Sequence, residues 1–290
     1  MEPKTWSLME VLRWTAGHLA ERSFDSPRLE AEMLLAHSLG LSRIELYTMH
    51  DRPMDRAELD AFKELVRRRR LGEPIAYLTG RREFWNHRFK VDRRVMVPRP
   101  ESEMLVEQAL AFGDPDQELL LADACTGSGC VLLSLLAERE KWVGVGTDLS
   151  AEALAAAREN RAELGLDKRC DLRLGDGLTP VLPLKKQPFD LITANPPYVP
   201  DGDWAALPPD IRDFEPRISV TSGADGLDVI RRLIPQAAQA LRPGGLFVME
   251  YSGPEQSQAI LALASAAGFG TTEILKDVGG IDRVLRALRA

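Results

Sequence analysis

Leu119-Leu120-Leu121-Ala122-Asp123-Ala124-Cys125-Thr126-Gly127-Ser128-Gly129, continued by Cys130-Val131-Leu132-Leu133-Ser134-Leu135-Leu136-Ala137, joins a buried apolar run to a glycine-rich turn and then to a helix-compatible stretch. A strand, a tight turn and a helix in that order open a doubly wound α/β sheet. The glycines let a ligand come close to the main chain, because no Cβ stands in the way. A dinucleotide fingerprint would place its third glycine at position 132, which is Leu132, so the pattern disfavours NAD.

Downstream, the strand Trp142-Val143-Gly144-Val145-Gly146-Thr147 ends at Asp148, nineteen residues beyond Gly129. A carboxylate there can accept both hydroxyls of a ribose. A third strand, Cys170 to Leu174, ends in Gly175-Asp176, where an adenine amino group could donate. A fourth run, Phe189-Asp190-Leu191-Ile192-Thr193-Ala194, leads into Asn195-Pro196-Pro197-Tyr198. The Asn195 oxygen can accept one hydrogen of a planar NH2 group, a main-chain carbonyl held by the prolines can accept the other, and Tyr198 supplies a flat wall. Taken singly, each acid reads as a loop carboxylate and Asn-Pro as a turn. At four successive strand ends they describe a pocket for S-adenosylmethionine with an amino or amide nitrogen presented to it.

The 290-residue chain has room for two domains, and 44% hydrophobic with 28% charged residues is ordinary soluble composition. No apolar stretch is long enough to span a bilayer, and Met1-Glu2-Pro3-Lys4-Thr5-Trp6 lacks the apolar core of a signal peptide, so a cytoplasmic location is expected. Cys125, Cys130 and Cys170 form no C-x-x-C pair and read as small apolar side chains in a reducing compartment. His18, His37, His50 and His87 all precede the catalytic segment and lack ligand spacing, so no metal site is expected.

Residues 1–72 read as a small helical bundle. Ser7 with Glu10 and Ser42 with Glu45 are capping boxes, Ser26-Pro27 starts a helix, and Gly40 and Gly72 can close helices. With 12 basic and 12 acidic residues the bundle is neutral, and Arg67-Arg68-Arg69-Arg70 reads as a solvated helix end. Residues 73–97 read as a β-hairpin linker, with Phe89, Val91, Val95 and Val97 alternating and Asn86-His87 at the turn. Pro98-Arg99-Pro100-Glu101 then keeps the chain extended before a helix near Ser102. Residues 98–290 carry 19 basic and 29 acidic groups, a balance that opposes unaided binding to duplex DNA. Within them, 199–224 reads as a long functional loop. Helices at Leu227 to Leu241 and Glu255 to Ala267 alternate with a strand at Leu246 to Tyr251. Two closing strands, Thr271 to Lys276 and Arg283 to Leu288, suggest an antiparallel edge on a mainly parallel sheet.

The chain closely resembles the bacterial peptide-chain release-factor glutamine methyltransferases. The likeness rests on Gly72-Glu73-Pro74-Ile75-Ala76-Tyr77-Leu78-Thr79-Gly80, Glu83-Phe84-Trp85, Pro98-Arg99-Pro100-Glu101, Asp123 to Gly129, Asn195 to Tyr198, Glu215-Pro216-Arg217 and Asp277 to Arg283. It implies a Rossmann-like class I methyltransferase domain at 98–290, with a mainly parallel seven-stranded sheet and an antiparallel edge. It also implies a helical domain at 1–72 that docks the release factor, and the hairpin linker at 73–97. The implied reaction is S-adenosylmethionine-dependent methylation, leaving S-adenosylhomocysteine, of the glutamine amide in the Gly-Gly-Gln motif of class I release factors. The enzyme is then a monomer that needs neither a membrane nor specific nucleic-acid binding.

Carried over by position, Cys125, Thr126, Gly127, Ser128 and Gly129 line the amino-acid end of the cofactor, Asp148 its ribose, and Asp176 and Gly177 its adenine. Asn195 touches cofactor and substrate, and Pro196, Pro197 and Tyr198 complete the glutamine site. Asn195, Pro196 and Tyr198 are the catalytic set, and Arg99 and Glu101 join the substrate side. The chain departs from the family pattern at Cys125, where glycine is usual, and at Gly177, where some members carry an aromatic residue. Asn86 and Tyr251-Ser252-Gly253-Pro254 are further departures. The alternatives are glutamine methylation of a ribosomal protein, adenine-N6 or guanine-N2 methylation of nucleic acid after base flipping, and a non-catalytic cofactor-binding module. The acidic balance of 98–290 and the absence of a base-recognition insert stand against the nucleic-acid alternative, which the basic groups Arg81, Arg82, Arg88, Lys90, Arg93 and Arg94 keep open.

Overall fold

The computed structural model describes residues 6–21, 24, 26–182 and 188–290, so Met1 to Thr5, read above for a signal peptide, lie outside the described residues. Two compact units emerge: residues up to Gly80 with Pro208–Phe214, and Arg81–Leu207 with Glu215–Ala290. Among the described residues no helix is long and apolar enough to cross a membrane.

The first unit is helical: α1 (Leu8–Ala20), α2 (Pro27–Leu39), α3 (Arg43–Thr48), α4 (Arg56–Arg70) and α5 (Ile75–Thr79). Reciprocal capping boxes at Ser7/Glu10 and Ser42/Glu45 start α1 and α3. Pro27 opens α2 without a side-chain bond from Ser26, and Gly40 ends it at φ 65. A third box, Asp55/Glu58, starts α4, with a carboxylate in place of the hydroxyl. Leu12, Leu19, Leu34, Leu35 and Phe62 form the core. In the arginine run Arg67 and Arg70 are exposed, as a solvated helix end would be, whereas Arg68 and Arg69 are bound. Arg69 is only 8% exposed, reaches Glu30 through Nε and Nη2 at 2.8 and 2.9 Å, and stacks 4.1 Å from the Phe24 ring centroid. Arg68 holds Glu73 at 2.7 and 2.6 Å.

The second unit begins with the hairpin β1 (Arg81–Phe84) and β2 (His87–Lys90). Its turn is Trp85-Asn86, one residue earlier than expected, and Trp85 takes φ 52. Tertiary bonds hold this uncommon conformation: Glu103 accepts the Trp85 N–H at 2.7 Å, and Glu138 accepts from Trp85 Nε1 and Asn86 Nδ2 at 2.9 and 2.7 Å. The strand also stops at Lys90. Val91, Val95 and Val97 are buried on non-strand backbone, so their alternation marks burial only.

Beyond α6 (Glu103–Phe112), the sheet is built from β3 (Leu120–Ala124), β4 (Val143–Asp148), β5 (Cys170–Leu174), β6 (Phe189–Ala194), β7 (Leu241–Glu250), β8 (Phe269–Lys276) and β9 (Asp282–Arg289). Helices α7 (Cys130–Glu138), α8 (Ala151–Glu163), α10 (Asp228–Ala240) and α11 (Pro254–Ala266) connect the strands, and α9 (Pro209–Arg212) belongs to the helical unit. The seven strands run β5-β4-β3-β6-β7-β9-β8, parallel from β5 to β7, with β9 antiparallel to both β7 and β8. Successive strand residues alternate between two cores: Ala122, Ile192 and Phe247 pack with α10 and α11, while Leu121, Leu191 and Leu246 pack with α6 and α7. Burial on both faces is why these strands read as continuous apolar runs. The Arg242-Pro243-Gly244-Gly245 turn sits inside β7 as an excursion: Phe189 faces Leu241 and Leu191 faces Leu246, so five residues of β7 span two of β6.

Leu132, at the position where a dinucleotide fold has glycine, is fully buried against β4. The space comes from the strand: a Cβ on Gly144 would lie 2.7 Å from Leu132 Cδ1, and one on Gly146 would lie 3.0 Å from Leu132 Cδ2. Helix and sheet therefore approach closely with the bulk on the helix.

Asp55→Ala removes the cap that α4 depends on and should cost about 1 kcal/mol. Urea unfolding followed by far-UV circular dichroism measures it; an unchanged midpoint would show that packing alone sets this helix start.

Candidate active site

The strand order reverses between β3 and β6. The chain proceeds from β3 to β4 and β5 on one side, and from β6 to β7 on the other, so the connections at their carboxyl ends diverge and leave a cleft. Cys125, Thr126, Gly127 and Ser128 line it from β3, Asp148 from β4, Asp176 and Gly177 from β5, and Asn195 and Pro197 from β6. The expected glycine turn, both acids and the asparagine thus share one cleft within the larger unit.

Asp123, 2% exposed, is the joint beneath the cleft. Its two carboxylate oxygens each accept a threonine hydroxyl at 2.7 Å, Thr126 from the glycine loop and Thr193 from β6. Burial pushes its pKa up to about 6, with the two hydroxyl bonds pulling the other way and Asp148 adding to the rise. The loop above closes through Thr126 N–H to the Thr147 carbonyl and Gly129 N–H to the Thr126 carbonyl. Cys125 adopts φ 58, so the loop keeps a left-handed residue despite carrying a Cβ, at a cost of roughly 1–2 kcal/mol. Gly129 is the N-cap of α7 and does not line the cleft. Buried Asn160 steadies the loop from behind, donating to the Ser128 and Lys90 carbonyls at 2.9 and 3.1 Å and accepting the Lys90 N–H at 2.7 Å.

Asp148 accepts Gly127 N–H on one oxygen and Ser150 N–H on the other, both at 2.9 Å. Burial raises its pKa, and backbone bonds from Ser150, Gly127 and Leu149 oppose the rise. These bonds fix the carboxylate, which lines the cleft and keeps acceptor capacity beyond them. Asp176 is held by Arg232, Nε to Oδ2 at 3.1 Å. Gly177, at φ 54, leaves no space for a side chain, since a Cβ would stand 2.4 Å from Gln236 Oε1, which accepts the Leu178 N–H.

At the end of β6, Asn195 Nδ2 donates to Ser102 Oγ at 2.9 Å, and Ser102 Oγ donates to Glu250 Oε2 at 2.6 Å. Tyr198 is not part of the cleft lining. It is partly buried beside the α10/α11 core, with its hydroxyl 3.3 Å from Glu250 Oε1. Burial raises the Glu250 pKa, opposed by the Ser102 and Tyr198 bonds. Burial also raises that of Tyr198, joined by the nearby Glu250 charge. Pro196 and Pro197 are buried, and Pro197 reaches the lining. Behind the turn, Gln256 Nε2 donates to the Tyr198 carbonyl at 2.9 Å, and Gly226 presses on it so closely that a Cβ would stand 2.0 Å away. Arg99 is bound to Glu215 at 2.6 Å, and Glu101 is exposed; neither lines the cleft.

Ser102, Thr193, Glu250 and Asn160 were not among the expected site residues. Glu250 had a readable signal, an acid ending the apolar run Leu246 to Met249. Ser102 directly follows the Pro-Arg-Pro-Glu motif but carries no pattern of its own.

Residues 10–80 match the family model described as PrmC N-terminal domain, and residues 121–214 match one described as Methyltransferase domain. A release factor glutamine methyltransferase of Geobacter sulfurreducens is 39% identical over 284 residues, covering 98% of this chain and 97% of its own. Its counterpart from Moorella thermoacetica is 40% identical, covering 98% of this chain and 99% of its own. Among solved structures, the T. thermophilus 16S rRNA N2 G1207 methyltransferase in complex with AdoMet and guanosine aligns with a TM-score of 0.53 and 19% identity, over 72% of this chain and 50% of that one, a likeness of fold alone.

Well below the ordinary carboxyl value of 3.8, Asp123 holds its proton both folded and unfolded. As pH rises toward its folded pKa of about 6 the unfolded chain releases the proton first, so stability falls, and above that the loss is complete at roughly 3 kcal/mol. The stability advantage of the wild type over Asp123→Asn should therefore shrink by about 2 kcal/mol between pH 4 and pH 7 in cofactor-free urea unfolding. A difference independent of pH would contradict the raised value.

Proposed function

The chain belongs to the release factor glutamine methyltransferase family, and from that membership we propose that it transfers a methyl group from S-adenosylmethionine to the side-chain amide nitrogen of the glutamine in the Gly-Gly-Gln motif of class I peptide-chain release factors. The observation that carries the reading is Asn195: its Nδ2 is engaged by Ser102, and no donor among the described residues reaches its Oδ1. A planar NH2 group can give one hydrogen to that oxygen and the other to the Pro196 carbonyl.

The cleft residues fit the cofactor. Asp148, fixed by two backbone N–H groups with lone pairs to spare, would hold the ribose hydroxyls. The Cys125 to Ser128 loop would hold the amino-acid end, with Gly127 offering open space where a Cβ would stand. Asp176 and Gly177 would border the adenine; with Gln236 filling the space beside Gly177, an aromatic side chain there has no room. Bound in this way, the cofactor supplies an electrophilic methyl group on sulfonium.

An amide nitrogen is a poor nucleophile because its lone pair is delocalised into the carbonyl. Holding both hydrogens at the Asn195 oxygen and the Pro196 carbonyl lets the nitrogen pyramidalise and turn its lone pair into the cleft, a gain from positioning alone. The nitrogen lone pair would take the methyl carbon as its bond to sulfur breaks and leaves a neutral thioether, and the N-methylated amide, then strongly acidic, would lose one proton to water. Glutamate is rejected, because a carboxylate has no hydrogen for either acceptor and leaves both unpaired. Release factors act at the ribosome, so this reading sets a monomeric enzyme in the cytoplasm, with the factor as partner and no need for membrane or specific nucleic-acid contact.

Purified class I release factor, wild type beside a Gly-Gly-Glu variant, should be incubated with the enzyme and labelled S-adenosylmethionine, with total RNA and DNA as parallel acceptors. Label on the wild-type factor alone is expected; label on nucleic acid with none on the factor would overturn the proposal. Asn195→Ala should lower kcat roughly 100-fold or more with little change in cofactor affinity. Asp148→Ala should weaken cofactor binding about 10- to 100-fold in calorimetry. Turnover intact in the first variant, or an unchanged dissociation constant in the second, would remove that residue from its role.

A further inference from the structure

We infer that Glu250 and Ser102 act as positioning residues that set which end of the Asn195 amide faces the substrate, and so make the site select an NH2 group over a carboxylate. The inference rests on the methylation of a glutamine amide proposed above and adds the source of its selectivity.

An asparagine amide is nearly symmetric in shape and opposite in hydrogen bonding at its two ends. With its oxygen in the cleft it accepts from an amide NH2; flipped, it offers two hydrogens, repels that NH2 and welcomes a carboxylate. Shape alone cannot hold one orientation, so a neighbour of fixed polarity must. Ser102 Oγ is that neighbour, 2.9 Å from Asn195 Nδ2, but a hydroxyl can also donate or accept. Its polarity is set one step further back.

Glu250 ends β7, and Ala194 of β6 pairs with Met249, so the carboxylate lies on the strand beside Asn195. It is 1% exposed and receives Ser102 at 2.6 Å on one oxygen and the Tyr198 hydroxyl at 3.3 Å on the other. A carboxylate only accepts. The single Ser102 proton is therefore committed to Glu250, and the serine can present only a lone pair to Asn195. That lone pair demands the NH2 end of the amide, and the oxygen is left for the cleft. The chain of proton ownership from Glu250 to Ser102 to Asn195 has one consistent direction. The same carboxylate also engages Tyr198, so the first and last residues of the Asn-Pro-Pro-Tyr turn are tied to one buried acid.

Ser102, 2% exposed, does not need to touch the glutamine for this role. A merely structural part would lower activity on any ligand alike. A polarity relay instead changes the ratio between amide and carboxylate ligands.

The test compares wild type, Ser102→Ala, Ser102→Thr and Glu250→Gln in two assays: kcat and KM for methyl transfer to the Gly-Gly-Gln factor, and the inhibition constant of the Gly-Gly-Glu factor. Cofactor affinity by calorimetry confirms that each variant is folded. Ser102→Ala should lower kcat/KM about 10- to 100-fold while the Gly-Gly-Glu factor binds as well or better, and Ser102→Thr, which keeps the hydroxyl, should restore most of the loss. Glu250→Gln can donate or accept at Ser102, so it should erode the discrimination in the same sense although the serine is intact. Equal weakening toward both factors, or unchanged discrimination in Ser102→Ala and Glu250→Gln at full cofactor affinity, would overturn the relay and leave the proposed reaction standing. If the wild type labels nucleic acid and not the factor, the proposed reaction falls, and the same variants scored on the amino-bearing base decide the relay. Transfer to no acceptor would overturn both.

Discussion

Everything at the cleft is measured from the sealed carboxylate of Asp123. One oxygen fixes Thr126, where the glycine loop begins, and the other fixes Thr193, its parallel partner on β6 two residues before Asn195. The two halves of the site, the glycine loop and the Asn-Pro-Pro-Tyr turn, leave adjacent strands in opposite directions. A single group bonded to both keeps their separation constant. The cost is an acid out of water, compensated by two hydroxyl bonds and expressed as a raised pKa.

A second buried acid, Glu250, stands one strand further along, and the two have different work. Asp123 joins main-chain segments, whereas Glu250 governs the hydrogen-bonding sense of side chains. Both accept their side-chain hydrogen bonds from hydroxyls, and at Glu250 the nearby Arg283 charge adds to what favours the ionised form. The acids that line the cleft are held otherwise: Asp148 is oriented by backbone N–H groups, and Asp176 is paired with Arg232.

The sheet and the main residues of the cleft were legible because they depend on local rules. Parallel strands buried on both faces read as apolar runs, and each ended where a turn residue or acid appeared, which located Asp148, Asp176 and Asn195. Capping boxes located α1 and α3. What stayed hidden depends on partners distant in sequence. The hairpin turn shifted to Trp85-Asn86 because Glu103 and Glu138 hold it there. Arg69 left the solvated face because Glu30 and Phe24 receive it. Ser102 gains meaning only beside Asn195 and Glu250, far along the chain, and no periodicity carries that information. Tyr198, expected as a wall of the pocket, instead turns its hydroxyl toward Glu250.

The packing of Leu132 against Gly144 and Gly146 bears on how this protein can change over time. Volume at that contact is shared between helix and strand, and the strand has given up all of it. A larger residue on β4 has nowhere to go unless position 132 shrinks in the same step, and a smaller residue at 132 opens a void unless the strand fills it. The two elements are therefore locked into reciprocal exchange: a path toward the glycine-bearing helix of dinucleotide enzymes would pass through intermediates that are either overfilled or hollow. Descendants of this chain should keep the bulk on the helix or move it across in paired substitutions, and single changes on either side should be rare survivors.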